Sequence, residues 1–96
     1  LTEFATLYRL QGKDEQAEPL YQQALLTCEQ QFGPEHPQTA ETLQQFAHFR
    51  EAQGNTREAV LLYRRALASG KAVLGPQHPK TTAIRERLHK LMNFTN

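Results

Sequence analysis

Apolar positions in this chain recur at intervals of three and four residues, which is the spacing of one face of an α-helix. Two long segments carry the pattern. The first has Ala17, Leu20, Tyr21, Ala24, Leu25 and Cys28 on one face, and the second has Ala59, Leu62, Tyr63, Ala66 and Leu67. A shorter helical segment precedes each, Leu1 to Gln11 and about Pro37 to Gln53. The pattern therefore predicts four helices in two pairs.

A fifth helix is predicted from about Pro79 to Met92, with Ile84, Leu88 and Leu91 facing inward. We expect it to cover the second long helix, which would otherwise expose its apolar face to water.

Local signals mark where these helices begin and end. Gly12 and Gly54 lie where a helix stops at a left-handed residue, a conformation that glycine adopts at little cost. Asn55, followed three residues later by Glu58, is typical of a capping box. Pro19 falls just past the first turn of its helix, so we expect the first long helix to be the more bent one.

The whole pattern repeats after about 42 residues. Gly12, Ala17, Leu20, Tyr21, Ala24 and Leu25 recur as Gly54, Ala59, Leu62, Tyr63, Ala66 and Leu67, and the connector Gly33-Pro34-Glu35-His36-Pro37 recurs as Gly75-Pro76-Gln77-His78-Pro79. A fixed period of this size indicates stacked units that bury apolar faces against their neighbours. We expect one all-α domain over residues 1–96, with repeat one over 1–36, repeat two over 37–78 and a capping helix over 79–94.

The composition limits the classes of partner and the cellular compartment that we expect. The chain has 96 residues, 39% of them apolar and 22% charged, with a net charge of +1. This balance is typical of a globular domain and gives no electrostatic case for nucleic acid or an anionic membrane as partner. Cys28 is the single cysteine, which fits a reducing compartment, so we expect a cytoplasmic protein. Because the chain starts at Leu1, inside a repeat, we expect it to be a fragment of a longer protein.

The repeated residues resemble the tetratricopeptide repeat. The resemblance lies in small residues at Ala5, Ala17 and Ala24, a glycine at Gly12 and large fillers at Tyr8 and Tyr21, most of them repeated in the second copy. The long period and the Gly-Pro-x-His-Pro connector resemble the kinesin-light-chain subclass. This resemblance implies a right-handed α-α superhelix of two helix pairs plus a capping helix. Arg50 departs from the family pattern, since it replaces the aromatic residue of the first copy, Tyr8.

The resemblance also implies a concave groove, lined by the first helix of each pair and by the capping helix, that binds a peptide. The groove positions are Thr2, Thr6, Arg9, Glu41, Gln44, His48, Glu51, Glu86 and Lys90. The alternative is that these residues are only a solvated helix face. Lysines and asparagines that would clamp a peptide's terminal carboxylate are missing at Thr2, Thr6, Gln44 and His48. We therefore expect no carboxylate clamp. Because the groove positions include charges of both signs, we expect a peptide that carries both charges.

No residue pattern in the sequence indicates a catalytic site or a metal site. His36 and His78 are interpreted as turn-stabilising or helix-entry residues. His48 and His89 have no spacing typical of metal ligands. Cys28 is interpreted as a small buried apolar residue. Ser69-Gly70-Lys71 resembles part of a phosphate loop, but it lacks the preceding glycine-rich run. The tyrosines and phenylalanines have the spacing of core residues. Taken together, these features lead us to expect no catalytic residue, no metal and no cofactor.

Three function hypotheses remain. The first is a non-enzymatic scaffold that binds a protein or peptide partner in its groove. The second is a ligand-sensing regulatory segment of a larger signalling ATPase, a domain combination implied by the family resemblance. The third is a structural array that self-associates through its exposed ends.

Overall fold

The computed structural model describes the backbone of residues 2–94 and the side chains of residues 3–93. Within this range it contains five helices and no strand. They are α1 (Thr2–Leu10), α2 (Asp14–Phe32), α3 (Pro37–Ala52), α4 (Thr56–Val73) and α5 (Pro79–Phe94). Helices α1 and α2 form one antiparallel pair, α3 and α4 form the second, and α5 packs on α4. The predicted all-α architecture of two pairs and a closing helix is confirmed.

Glycine ends both short helices through left-handed backbone. Gly12 has φ of 75° and Gly54 has φ of 82°. Asn55 then begins α4, because its side-chain oxygen accepts a hydrogen bond from the Glu58 N–H at 3.3 Å. The second hydrogen bond of a capping box, from the Asn55 N–H to the Glu58 side chain, does not form. The Asn55 N–H donates to the Arg50 carbonyl oxygen instead, and the Glu58 carboxylate contacts Arg50.

The two histidines of the connectors begin the helices that follow them. Nδ1 of His36 accepts a hydrogen bond from the Gln38 N–H at 3.1 Å, and Nδ1 of His78 accepts one from the Lys80 N–H at 3.1 Å. Each histidine is followed by a proline at the start of the helix, where no intrahelical N–H bond is lost. The predicted helix-entry role is confirmed in both copies.

The core lies where helices of successive pairs meet. Tyr21 and Tyr63 are fully buried. The Tyr21 ring stacks on Phe46 of α3 at 5.6 Å between centroids and lies 5.0 Å from Phe49. Small residues allow the paired helices to approach closely, and Ala5, Ala17, Ala47 and Ala59 are all fully buried.

Helix α5 covers α4, as predicted. Ile84, Leu88 and Leu91 are buried against α4. The two helices approach closely at Gly70, where an added Cβ would lie 3.2 Å from the Thr81 side-chain oxygen.

Three aromatic or sulfur positions differ from their predicted burial. Phe4 is 62% exposed and Phe32 is 45% exposed, although both have core spacing. Phe4 is exposed because α1 has no helix on its outer side within the described residues. Cys28 is half-buried rather than buried, and its Sγ lies 3.5 Å from the Thr42 hydroxyl. The prediction for Phe94 falls on a side chain outside the described residues.

Arg50, which departs from the family pattern, has its own set of contacts. Its guanidinium contacts the carboxylates of Glu18 on α2 and Glu58 on α4. It also lies over the Phe46 ring at 5.0 Å and the Phe49 ring at 5.8 Å from the centroids. Arg50 therefore joins α3 to both of its neighbouring helices through charge and cation–π contact.

Among residues 2–94, no helix has the length and apolarity needed to cross a bilayer.

Candidate functional site

The first helices of the two pairs and α5 line a groove that contains two adjoining cavities. We call the larger one, of about 530 Å³, the Arg9 cavity. It is lined by Thr6, Arg9, Tyr21, Gln45, His48, Glu51, Ala52 and Arg87. The second, of about 400 Å³, is the His78 cavity, between α3 and α5. Gln45 and His48 line both cavities, so the two form one continuous groove along α3.

Most of the groove residues predicted from the sequence lie in these cavities. Thr6, Arg9, His48 and Glu51 line the Arg9 cavity, and Glu41, Gln44 and again His48 line the His78 cavity. Glu86 and Lys90 are exposed on α5 and line neither cavity, so their contact with a partner stays a prediction. The prediction for Thr2 concerns a side chain outside the described residues.

The groove prediction omitted four residues that line the Arg9 cavity: Tyr21, Gln45, Ala52 and Arg87. Arg87 is partly exposed on α5, but its side chain turns towards α3. A signal was available, because Gln45 on α3 and Arg87 on α5 occupy the same position of successive repeats. Residues that face the groove in one repeat predict those that face it in the next.

A chain of hydrogen bonds crosses the groove from α4 through α3 to α5. The Tyr63 hydroxyl lies 2.9 Å from Nδ1 of His48 and donates to Oε1 of Glu51 at 3.1 Å. Since that hydroxyl has one proton, its contact with His48 is satisfied when Nδ1 carries the hydrogen. Arg87 then contacts both oxygens of Glu51, from Nε to Oε1 at 3.0 Å and from a terminal nitrogen to Oε2 at 2.9 Å.

This network changes the acid–base behaviour of its members. Burial, followed by the positive charge of Arg87, lowers the pKa of His48 below its usual 6.5. Burial and the Glu51 carboxylate together raise the pKa of the Tyr63 hydroxyl, so it stays protonated. The hydrogen bond to Glu51 raises the pKa of Arg87. The charged part of the network is the ion pair between Glu51 and Arg87.

The first repeat carries a simpler version of the same contact. The Tyr21 hydroxyl lies 3.5 Å from the Thr6 hydroxyl, and Thr6 occupies the position of His48. The buried tyrosine of each second helix thus reaches a polar groove residue of the first helix. The tyrosines belong to the scaffold, whereas their partners differ between repeats.

Other chemistry suggested by single residues has no geometric support. The Ser69 hydroxyl donates to the Pro34 carbonyl oxygen at 2.7 Å, inside a regular helix, so the phosphate-loop resemblance is not reflected in the structure. Among the side chains that the structure describes, no three histidine, cysteine, aspartate or glutamate residues are grouped in a way that could hold a metal ion.

Comparison with known proteins agrees with the helix pairs. A family model described as the tetratricopeptide repeat matches residues 1–72, three quarters of the chain. The chain belongs to the tetratricopeptide repeat family. A search of curated proteins found no match. Tetratricopeptide repeats are generally non-enzymatic and generally mediate interactions between proteins.

Proposed function

We propose that this tetratricopeptide repeat chain is a non-enzymatic scaffold that binds a peptide segment of a partner protein in its concave groove. The observation that supports the proposal is the continuity of the Arg9 and His78 cavities along α3, with Gln45 and His48 common to both. A groove of this shape accommodates an extended chain better than a compact small molecule. The proposal includes a cytoplasmic location, in keeping with the single thiol at Cys28.

The lining of the groove suits a peptide backbone with mixed side chains. Gln44 is half-buried in the His78 cavity, and its amide both donates and accepts hydrogen bonds. Beside it, Ala83 and Ile84 provide apolar surface. Glu41 and Lys80 supply opposite charges at the same cavity. These features favour a peptide that carries both apolar and charged residues.

The proposal extends to the long-repeat subclass that includes kinesin light chain, with repeats over 1–36 and 37–78. Its support is the connector, because His36 and His78 make the same hydrogen bond one repeat apart. The connector, which lengthens this repeat relative to a shorter tetratricopeptide repeat, thus begins the following helix in the same way in both copies.

Nuclear magnetic resonance tests where a peptide binds. Peptides are first selected from a library of random 12-residue sequences, and the tightest is titrated into the isotope-labelled chain. We expect amide shifts to concentrate at Thr6, Gln45 and His48, with little change at Gln22 and Gln23 on the outer side of α2. Shifts concentrated on α2 and α4 would contradict the proposal.

A second candidate function, self-association through α1, is favoured by one observation. Phe4, Leu7 and Leu10 are exposed on α1. One repeat later, Phe46 and Phe49 occupy the positions of Phe4 and Leu7, and both are buried beneath Tyr21 of α2. We propose that a second copy of this chain covers the α1 face, as two identical apolar faces related by a two-fold axis.

A further inference from the structure

The Arg9 cavity contains two equivalent pairs of positions, and only one of them forms an ion pair. Glu51 and Arg87 lie one repeat after Arg9 and Gln45 respectively. In the later pair a carboxylate meets a guanidinium through two contacts. In the earlier pair the guanidinium belongs to Arg9 on α1, but the second residue, Gln45 on α3, carries an uncharged amide. The first repeat therefore has the cation without its anion.

Two atoms of the earlier pair are buried without a hydrogen-bond partner. They are Nε of Arg9 and Oε1 of Gln45. The Gln45 amide nitrogen is directed to Glu41 at 3.5 Å, so the amide is partly satisfied on its other side. A buried polar atom without a partner costs free energy, and a ligand that supplies the partner recovers it. Nε of Arg9 requires an acceptor, and Oε1 of Gln45 requires a donor.

The charges of the cavity indicate what kind of acceptor would bind Nε of Arg9. Glu51 is already bound by Arg87 and Tyr63, so it does not neutralise Arg9. His48 shares its Nδ1 with Tyr63 and adds no negative charge. Among the side chains described in the structure, Arg9 forms no ion pair. The cavity is left with one uncompensated positive charge, which favours an anionic group.

We propose that the Arg9 cavity binds the side-chain carboxylate of an aspartate or glutamate within the partner peptide. This inference rests on the proposed function of the groove. The carboxylate accepts a hydrogen bond from Arg9, and a backbone N–H of the same peptide donates to Oε1 of Gln45. The acidic residue is internal to the peptide, because the groove continues past Gln45 and His48 into the His78 cavity.

The experiment uses peptides selected from a random 12-residue library, prepared with an acetylated amino terminus and an amidated carboxyl terminus. Each acidic residue of the tightest peptide is replaced in turn by its amide. Isothermal titration calorimetry measures both forms on the unchanged chain. We expect one replacement to weaken binding about tenfold or more, the size typical of a charge-assisted hydrogen bond.

Three cavity variants and one control variant test whether that effect arises in the cavity. In Arg9→Gln, the acidic and amide peptides should bind equally, whereas Arg57→Gln should discriminate as the unchanged chain does, since Arg57 is exposed on α4 and lines neither cavity. Arg9→Lys keeps the charge and should keep part of the discrimination. In Gln45→Glu, the cavity gains its own carboxylate, so the acidic peptide should lose its advantage. Circular dichroism confirms that each variant is folded.

The outcomes separate this inference from the proposed function. If the peptide binds in the groove but Arg9→Gln discriminates as well as the unchanged chain, the acidic-residue inference is wrong and the groove proposal stands. If binding requires a free terminal carboxylate, the inference is also wrong, because the anion is then the chain end. If the library yields no binder, both proposals are contradicted.

Discussion

Arg87 on α5 contacts both carboxylate oxygens of Glu51 on α3, at 3.0 and 2.9 Å. The contact connects the closing helix to the first helix of the preceding pair. It lies at one wall of the groove, beside His48 and the buried hydroxyl of Tyr63. The same ion pair therefore joins α5 to α3 and forms part of the wall of the Arg9 cavity.

We predict that Glu51 and Arg87 are energetically coupled. In a double-mutant cycle of Glu51→Gln and Arg87→Gln, urea unfolding should give a coupling energy of about 0.5–1 kcal/mol. The value is modest because the Arg87 side chain is 44% exposed. Since salt screens exposed charges, the coupling should decrease in 1 M NaCl. Strict additivity of the two substitutions would show that the contact contributes nothing.

We predict that His48 titrates below its usual pKa of 6.5, because burial and the Arg87 charge disfavour its protonated form. The measurement is a pH titration of the His48 ring proton by nuclear magnetic resonance. Replacement of Arg87 by glutamine should move the midpoint upwards. A midpoint at or above 6.5 in the unchanged chain would be inconsistent with the network.

The lowered pKa of His48 also predicts how the stability of the chain depends on pH. Below pH 6.5 the unfolded chain protonates His48 before the folded chain does, so the free energy of unfolding falls as the pH decreases through this range. Once the pH is below the folded pKa, both states are protonated and no further loss comes from this residue. A His48→Gln variant should lack this component of the slope.

We predict that Arg50 contributes substantially to stability. Arg50→Ala should lower the free energy of unfolding by about 1–3 kcal/mol, because it removes two charged contacts and exposes the rings of Phe46 and Phe49. Arg57→Ala is the control, and it should stay within about 0.5 kcal/mol of the unchanged chain, as exposed positions do. Equal effects of the two substitutions would remove any special role for Arg50.

The helices and their ends were predictable because local chemistry determines them. Gly12, Gly54, Pro37 and Pro79 act on the backbone within a few residues, so their effect does not depend on how the helices pack. The repeat added the order of the helices, since equivalent residues must occupy equivalent places. These signals were sufficient for the all-α fold and for the burial of Tyr21 and Tyr63.

The groove was predictable only in part, because it depends on where long side chains turn after the helices pack. Thr6 and His48 follow from helix phase, and the repeat places Arg87 at the position of Gln45, but neither signal shows that Arg87 contacts Glu51. Phe4 has the spacing of a core residue and is exposed all the same, since no helix of the described structure covers it. Periodicity identifies the apolar face of a helix without showing what packs against it.

We predict that the chain forms a dimer through α1. Sedimentation velocity over a range of concentrations should show a dimer that Phe4→Glu combined with Leu7→Glu dissociates, because charges would replace the apolar contact. Leu61→Glu is the matched control, since Leu61 is 55% exposed on α4. A monomer at all concentrations, or equal dissociation by Leu61→Glu, would exclude this interface.

Calorimetric titration of a selected 12-residue peptide is the most direct test of the groove. The unchanged chain is compared with a Gln44→Ala, His48→Ala variant and with a Gln22→Ala, Gln23→Ala control, whose two glutamines are exposed on α2. We predict that the groove variant weakens binding at least about tenfold, since it removes hydrogen-bonding groups from both cavities, while the control binds normally. Unchanged affinity in the groove variant would contradict peptide binding by the concave face.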